Sequence, residues 1–322
     1  MMIDSVARPP YDRETREGLA ALPGGGFNPL TAETILSRRA AISTGSYEEQ
    51  FAGQPTRRVD HTINGHRGEQ IEVSVIARAD HDTTGAGILF VHGGGMIAGD
   101  RFAGIDRLTE WIVRDDVVVI AVEYRLAPEH PDPTPVEDAY AALVWAAENA
   151  EMLGFDPRRL ITLGISAGGG VAAGMALLAR DRSGPPISAQ MLLCPMLDDR
   201  DDTVSSQQFE GIGTWDRESN RTGWGALLGA RAGTADVSIY AAAGREENLS
   251  SLPPTFIDCG SAEVFRDECV SFASRIWAVG GQAELHIWDG GFHGFDVIAP
   301  DAIISKSAIA TRDSWMRRQL TG

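Results

Sequence analysis

Short apolar runs at residues 88–91, 117–122, 160–163, 191–193 and 255–257 are separated, for the most part, by stretches long enough to be helices, and this rhythm limits the possible folds more than any other feature. A strand that is apolar on both faces must be covered on both. Short strands joined by helical crossovers achieve this as a parallel sheet between two helical layers, so the expected class is α/β. Ahead of these runs, Ile71, Val73 and Val75 alternate with polar neighbours, which predicts a strand with one solvated face near the sheet edge. Residues 1–50 read as a small helical appendage: Pro9-Pro10, a Gly24-Gly25-Gly26 loop, and a helical stretch over 31–41 with Ile35, Leu36, Ala40 and Ile42 at apolar spacing. Between 198 and 248 the rhythm breaks. This segment is rich in Gly, Ser, Asp and Arg, carries Phe209, Trp215 and Trp224, and reads as an excursion from the sheet that forms part of a lid over a ligand site.

Charge narrows the partners. Asp and Glu number 45 against 28 Lys and Arg, a net −17 that repels phosphate backbones and anionic headgroups, so nucleic acid is not an expected partner. The apolar run over 117–122 is far shorter than the ~20 residues that cross a bilayer, and no membrane partner is expected. Met1-Met2-Ile3-Asp4-Ser5 lacks the basic patch and apolar stretch of a secretory signal, and the three cysteines are too few for a disulfide framework; a cytoplasmic protein is expected. Cys194 and Cys259 end apolar runs and Cys269 falls in an amphipathic helix, so all three read as structural. No His, Cys or carboxylate pair has metal-ligand spacing, and neither metal nor cofactor is expected.

The chemistry gathers at three places. Gly164-Ile165-Ser166-Ala167-Gly168 lies between the run 160–163 and a helix-compatible stretch over 171–179, the setting in which a sharp strand-to-helix turn exposes a nucleophilic serine and needs glycine on either side. His92-Gly93-Gly94-Gly95 follows the run 88–91, and consecutive glycines let backbone N–H groups face a substrate oxygen; Gly93, Gly94 and Ala167 are the candidate oxyanion donors. Residues 93–98 also fit a G-x-G-x-x-A dinucleotide fingerprint with Glu123 as its ribose-binding acid, but Gly99-Asp100 follows and no helix opens until about Ile105, which leaves a pyrophosphate without a helix N-terminus. Among the histidines, His293 in Gly291-Phe292-His293-Gly294-Phe295 sits in a loop free to project its ring and is the candidate base. His92 would be held beneath the oxyanion loop, and His61, His66, His81, His130 and His286 read as solvated or structural. The orienting acid should follow the run 255–257: Glu263 is the first choice, with Asp258 and Asp267 as alternatives.

These residues, together with Glu123-Tyr124-Arg125-Leu126-Ala127-Pro128-Glu129-His130-Pro131, Glu137-Asp138-Ala139-Tyr140, Leu252-Pro253-Pro254 and Arg266-Asp267-Glu268, resemble the hormone-sensitive lipase family of α/β-hydrolases, the bacterial family IV esterases, from about residue 57 onward. The resemblance implies the α/β-hydrolase fold: a mostly parallel eight-stranded sheet flanked by helices, residues 51–322 as catalytic domain, and a helical cap built from residues 1–50 and an insertion at about 198–248. It further implies a serine carboxylic ester hydrolase acting on small to medium uncharged esters, with a homodimer through the strand near Ala283–Trp288. A lactone hydrolase, or a receptor on the same fold that binds without turnover, are the alternatives; receptors of this kind lack the histidine, and His293 is present. Three departures stand out. Ile165 replaces the family's aspartate or threonine, Glu263 replaces its aspartate on an arm one methylene longer, and Asp132 occupies a usually aromatic position.

Overall fold

In the computed structural model, which describes residues 7–26, 29–41 and 44–321, the apolar runs become strands of one sheet. They are β1 (Thr56–Asn64), β2 (Gln70–Arg78), β3 (Gly85–Val91), β4 (Val118–Val122), β5 (Phe155–Ile165), β6 (Ala189–Leu193), β7 (Thr255–Gly260) and β8 (Ala283–Trp288). The order is β1-β2-β4-β3-β5-β6-β7-β8; β1 and β2 pair antiparallel with their neighbours and all other pairings are parallel. Both faces are buried, as the uninterrupted apolar runs require. Leu89 and Val91 of β3 pack with Ala142, Leu143 and Val171 of the Thr134–Glu148 and Ala167–Asp181 helices. Ile88 and Phe90 face the opposite layer, with Leu108, Trp111 and Ile112 from the 105–115 region and Trp315 and Met316 of the Ile303–Thr321 helix. Each such fully buried side chain contributes about 1.5–3 kcal/mol relative to exposure.

Four local expectations change. The solvated face of β2 extends only over its first half: Gln70 and Glu72 are exposed, but Ser74 is fully buried, its hydroxyl donating to Asp60 (2.6 Å) and accepting from Arg101 Nε (2.7 Å). The edge itself is β1, where Ile63 alone is buried, so no apolar alternation announces the whole strand. β5 starts at Phe155, ahead of the apolar run, because Phe155 pairs with Gly85 of β3. The helix expected over 31–41 runs Ile35–Ala41; Ile35 is buried but Leu36 is 67% exposed, and Ile42 lies outside the described residues.

The N-terminal segment reaches the far end of the chain. Asp12 caps the Arg13–Ala21 helix through Glu14 N (2.9 Å) and Thr15 N (3.0 Å), while its own amide donates to Gly290 O (3.0 Å) and the neighbouring Tyr11 ring meets Phe292 edge-on at 5.7 Å. Arg39 pairs bidentately with Glu129 at 2.8 Å. In the 198–248 excursion, the Arg217–Leu228 helix meets residue 30: Leu30 N donates to Ser219 Oγ (3.0 Å) and Thr222 Oγ1 to Leu30 O (2.8 Å). Asp132 is tied to this excursion as well, accepting from Arg231 at 2.8 Å and donating its amide to Leu227 O, which accounts for a carboxylate at that position.

Candidate active site

β5 delivers Ser166 on backbone at φ 56°, ψ −122°, a region an L-residue occupies only when its surroundings enforce it. The enforcement is visible in the hydrogen bonds: Ser166 N donates to Leu193 O (2.8 Å) while Ser166 O accepts from Gly169 N (2.9 Å) and Met196 N (3.0 Å). Gly168 is required by close approach, since a Cβ there would lie 2.2 Å from the carbonyl oxygens of both Val91 and His92.

The loop after β8 carries His293 to Ser166, with Nε2 and Oγ 3.0 Å apart. On its other side, His293 Nδ1 faces Glu263 Oε2 at 2.5 Å. The remaining oxygen of this buried carboxylate accepts from Gly260 N (3.0 Å) and from the Cys259 thiol (2.6 Å), which fixes the extra methylene of the glutamate arm. The structure thus brings together Ser166, His293 and Glu263 and leaves the two alternative acids elsewhere. Asp258 points to Arg312 Nε (2.7 Å) and Trp288 Nε1 (3.1 Å); Asp267, one helical turn on, receives Ser205 N (2.8 Å) and Arg266 Nε (2.8 Å).

Burial pulls the His293 pKa down while Cys194 and the Glu263 carboxylate pull it up, and the net direction is well above the ordinary histidine value. Burial also raises the pKa of the Cys194 thiol, so that sulfur is neutral near pH 7 and the carboxylate supplies the charge that acts on the ring. Cys194 therefore corrects a sequence expectation: it sits against the histidine instead of serving the core alone. The strand order was the signal needed to find it, because β6 lies beside β5 and Leu193 pairs with Ile165, which puts Cys194 next to Ser166. Thr214 and Phe265 are further neighbours the sequence did not single out: Thr214 Oγ1 donates to His293 O at 2.5 Å, and the Phe265 ring stands edge-on to the imidazole at 5.2 Å.

Donor atoms of Cys194, Glu263 and His293 lie within 4.8 Å of one another, a set of metal-ligating types. Zinc bonds of about 2.0–2.2 Å at a tetrahedral angle hold a nitrogen and a carboxylate oxygen about 3.3 Å apart, whereas the 2.5 Å between His293 Nδ1 and Glu263 Oε2 is a hydrogen-bond separation.

Gly93 and Gly94 lie beside the elbow, and among the described residues no acceptor takes the amide hydrogens of Gly93, Gly94 or Ala167. Gly94 holds φ 118°, and a Cβ on it would fall 2.0 Å from Ala98 O. Beneath the loop His92 is fully buried: Nδ1 bonds Gly93 O (2.7 Å), the ring stacks on Tyr124 at 4.3 Å, and Nε2 has no partner. Burial brings its pKa down to about 4. Glu123, the acid of the dinucleotide alternative, is engaged by Arg101 through the backbone amide (3.1 Å) and Nη1 (2.9 Å), and the turn at Ile105–Leu108 is a 3-10 helix, so the fingerprint geometry is absent there.

Ser166, His293 and the glycine loop open on a cavity of about 270 Å³ whose walls include Leu30 and Ile35 from the N-terminal region and Trp215 from the excursion. Among the described residues no helix is long and apolar enough to cross a membrane.

Residues 88–297 match a family model described as alpha/beta hydrolase fold. Esterase LipI of Mycobacterium tuberculosis (strain ATCC 25618 / H37Rv) is 34% identical over 220 residues, 65% of each chain, and carboxylesterase NlhH of the same strain is 34% identical over 213 residues, 65% of this chain and 66% of the relative. The aligned part therefore spans just under two thirds of these relatives' lengths. Among solved structures, a bacterial heroin esterase superposes with a TM-score of 0.87 at 32% identity, covering 96% of this chain and 98% of that one. Esterase LipW of Mycobacterium marinum gives 0.85 at 32% identity, covering 98% of both. With its sheet order, its strand-to-helix elbow and these matches in agreement, the chain belongs to the α/β-hydrolase fold family, within the hormone-sensitive-lipase-like group.

Proposed function

We propose that this chain is a carboxylic ester hydrolase that works through an acyl-enzyme. The observation that carries the reading is the continuous chain of contacts Ser166 Oγ, His293 Nε2, His293 Nδ1, Glu263 Oε2, with Ser166 and His293 on the wall of one cavity that also holds Gly93 and Gly94. Ser166 gives its proton to His293 and attacks the ester carbonyl; Glu263 keeps the imidazole oriented and stabilises its positive charge. The amides of Gly93, Gly94 and Ala167 receive the developing oxyanion, and each such donor is worth ~10²- to 10³-fold in rate. His293 returns the proton to the departing alcohol, then activates water to release the acid.

The esterase names of the relatives support an ester substrate. The small cavity and the acidic surface favour small to medium uncharged esters, a lactone included. Residues 1–50 and 198–248 act as one cap, a reading supported by the Leu30 bonds to Ser219 and Thr222. The unpaired edge of β8 would serve a homodimer, and the three free thiols suit a cytoplasmic setting. Hydrolysis of nitrophenyl esters of rising acyl length by wild type and Ser166→Ala tests the core reading. The variant should lose on the order of 10⁶-fold, and comparable turnover in both would remove the assignment.

A further inference from the structure

The cavity at Ser166 is not the only one that Ile165 touches. A second of about 820 Å³ lies between the 104–111 segment, the ends of β5 and β6, and the Ile303–Thr321 helix. The two cavities share two wall residues, Gly93 and Ile165, so the Ile165 side chain and the first glycine of the oxyanion loop are what stands between them. Strand alternation turns Ile165 to the same face as Leu163, into the cluster that holds Leu108 and Trp111, while Ser166 faces the smaller cavity. The Ile165 Cδ1 meets Gly104 so closely that a Cβ there would lie 3.3 Å away.

The character of the larger chamber follows from its walls. Val297 and Ile309 stand at its boundary 61% and 49% exposed, large apolar side chains left uncovered. Its charged wall residues are Arg107, Arg312, Asp106, Glu110, Asp296 and Asp313: Arg107 pairs with Asp296 (2.7 Å), which also receives Arg312, while Glu110 (3.3 Å) and Asp313 (2.6 Å) accept from Arg114 beside the chamber. Two cations against four carboxylates give the wall an acidic excess that repels an anionic group, and both cations are already held by carboxylates. A chamber of this size accommodates a drug-sized apolar body, and at about three times the volume of the first it is the roomier of the two.

We propose that Ile165 partitions a single binding site and that the larger chamber takes one half of the substrate, so that the preferred ester joins a bulky, apolar half without negative charge to a small one. This rests on the ester hydrolase reading above and narrows its substrate class. Two series of esters test it: nitrophenyl esters lengthened on the acyl side, and acetates of phenol, naphthol and a tricyclic alcohol enlarged on the other. In the wild type kcat/KM should persist with size in one series and fall steeply in the other. Ile309→Trp, at an exposed position that does not endanger folding, and Ile165→Phe should each lower the large-to-small kcat/KM ratio in the tolerant series by about tenfold, a size typical of pocket discrimination. Turnover that falls equally in both series, or ratios that neither substitution moves, would overturn the partition while leaving the hydrolase intact. Absence of turnover of every ester by the wild type would overturn the hydrolase reading and the partition with it.

Discussion

His92 makes the oxyanion loop acid-sensitive, and the size of the effect can be worked out. The ring is fully buried, Nδ1 is committed to Gly93 O, and Nε2 faces no acceptor, so a second proton would create a buried cation with an unanswered N–H. Burial lowers the folded-state pKa from 6.5 to about 4. Between those values the unfolded chain binds the proton and the folded chain does not, so folding stability falls as pH falls. With one pKa unit equal to about 1.4 kcal/mol, the difference between about pH 7.5 and about pH 5 is about 2 kcal/mol. Other buried acids add their own pH dependence, Glu268 among them with its pKa pushed well up by burial, so the contribution must be isolated by difference. His92→Asn keeps a side-chain N–H that can reach Gly93 O and removes the titration. Urea unfolding of both proteins at both pH values should show the wild type losing about 2 kcal/mol more than the variant. A double difference under about 0.5 kcal/mol would refute a neutral, desolvated His92.

Three further outcomes follow from the geometry. Because His293 must be neutral to accept the Ser166 proton and its pKa is raised above the ordinary value, kcat/KM should climb with pH on an acid limb lying above 6.5. Glu263→Gln should move that limb to lower pH while reducing kcat on the order of 10⁴-fold, and an unmoved limb in the pH profile would remove the carboxylate from this role. Gly168→Ala puts a methyl group 2.2 Å from two carbonyl oxygens and should cost at least about 3 kcal/mol together with the activity, read by thermal unfolding and nitrophenyl acetate assay; a variant with normal kcat would contradict the elbow's close approach. Arg312→Met leaves buried Asp258 without its cation and should cost about 3–5 kcal/mol in urea unfolding, whereas a loss below about 1 kcal/mol would show that the pair is replaceable.

The central sheet was readable because parallel strands buried on both faces have nowhere to place polar residues, and β3, β4, β6 and β7 announce themselves as apolar runs. β1 and the start of β5 escaped, since pairing at an edge or with one residue of β3 asks only for backbone groups. The approach of His293 and the glycine loop to Ser166 was legible for a local reason: a strained turn, a projecting loop and a close backbone approach each demand glycine nearby. Choosing Glu263 over Asp258 and Asp267 required direction, which only packing supplies; Asp258 is drawn to Arg312 and Asp267 to Ser205. The Cys194 contact with the triad and the chamber behind Ile165 arise between elements distant in sequence, and no spacing encodes them.

The bond from Asp12 to Gly290, with Tyr11 against Phe292, ties the start of the described chain to the loop that ends in His293. A covering segment fastened in this way must give up a hydrogen bond worth about 1 kcal/mol, and a ring contact, to move without pulling on the 290–293 loop. Any excursion of residues 11–12 wide enough to admit a bulky molecule by that route therefore also displaces the residues next to His293. Replacing Tyr11 by Ala would then loosen the loop at His293 before it loosened the sheet.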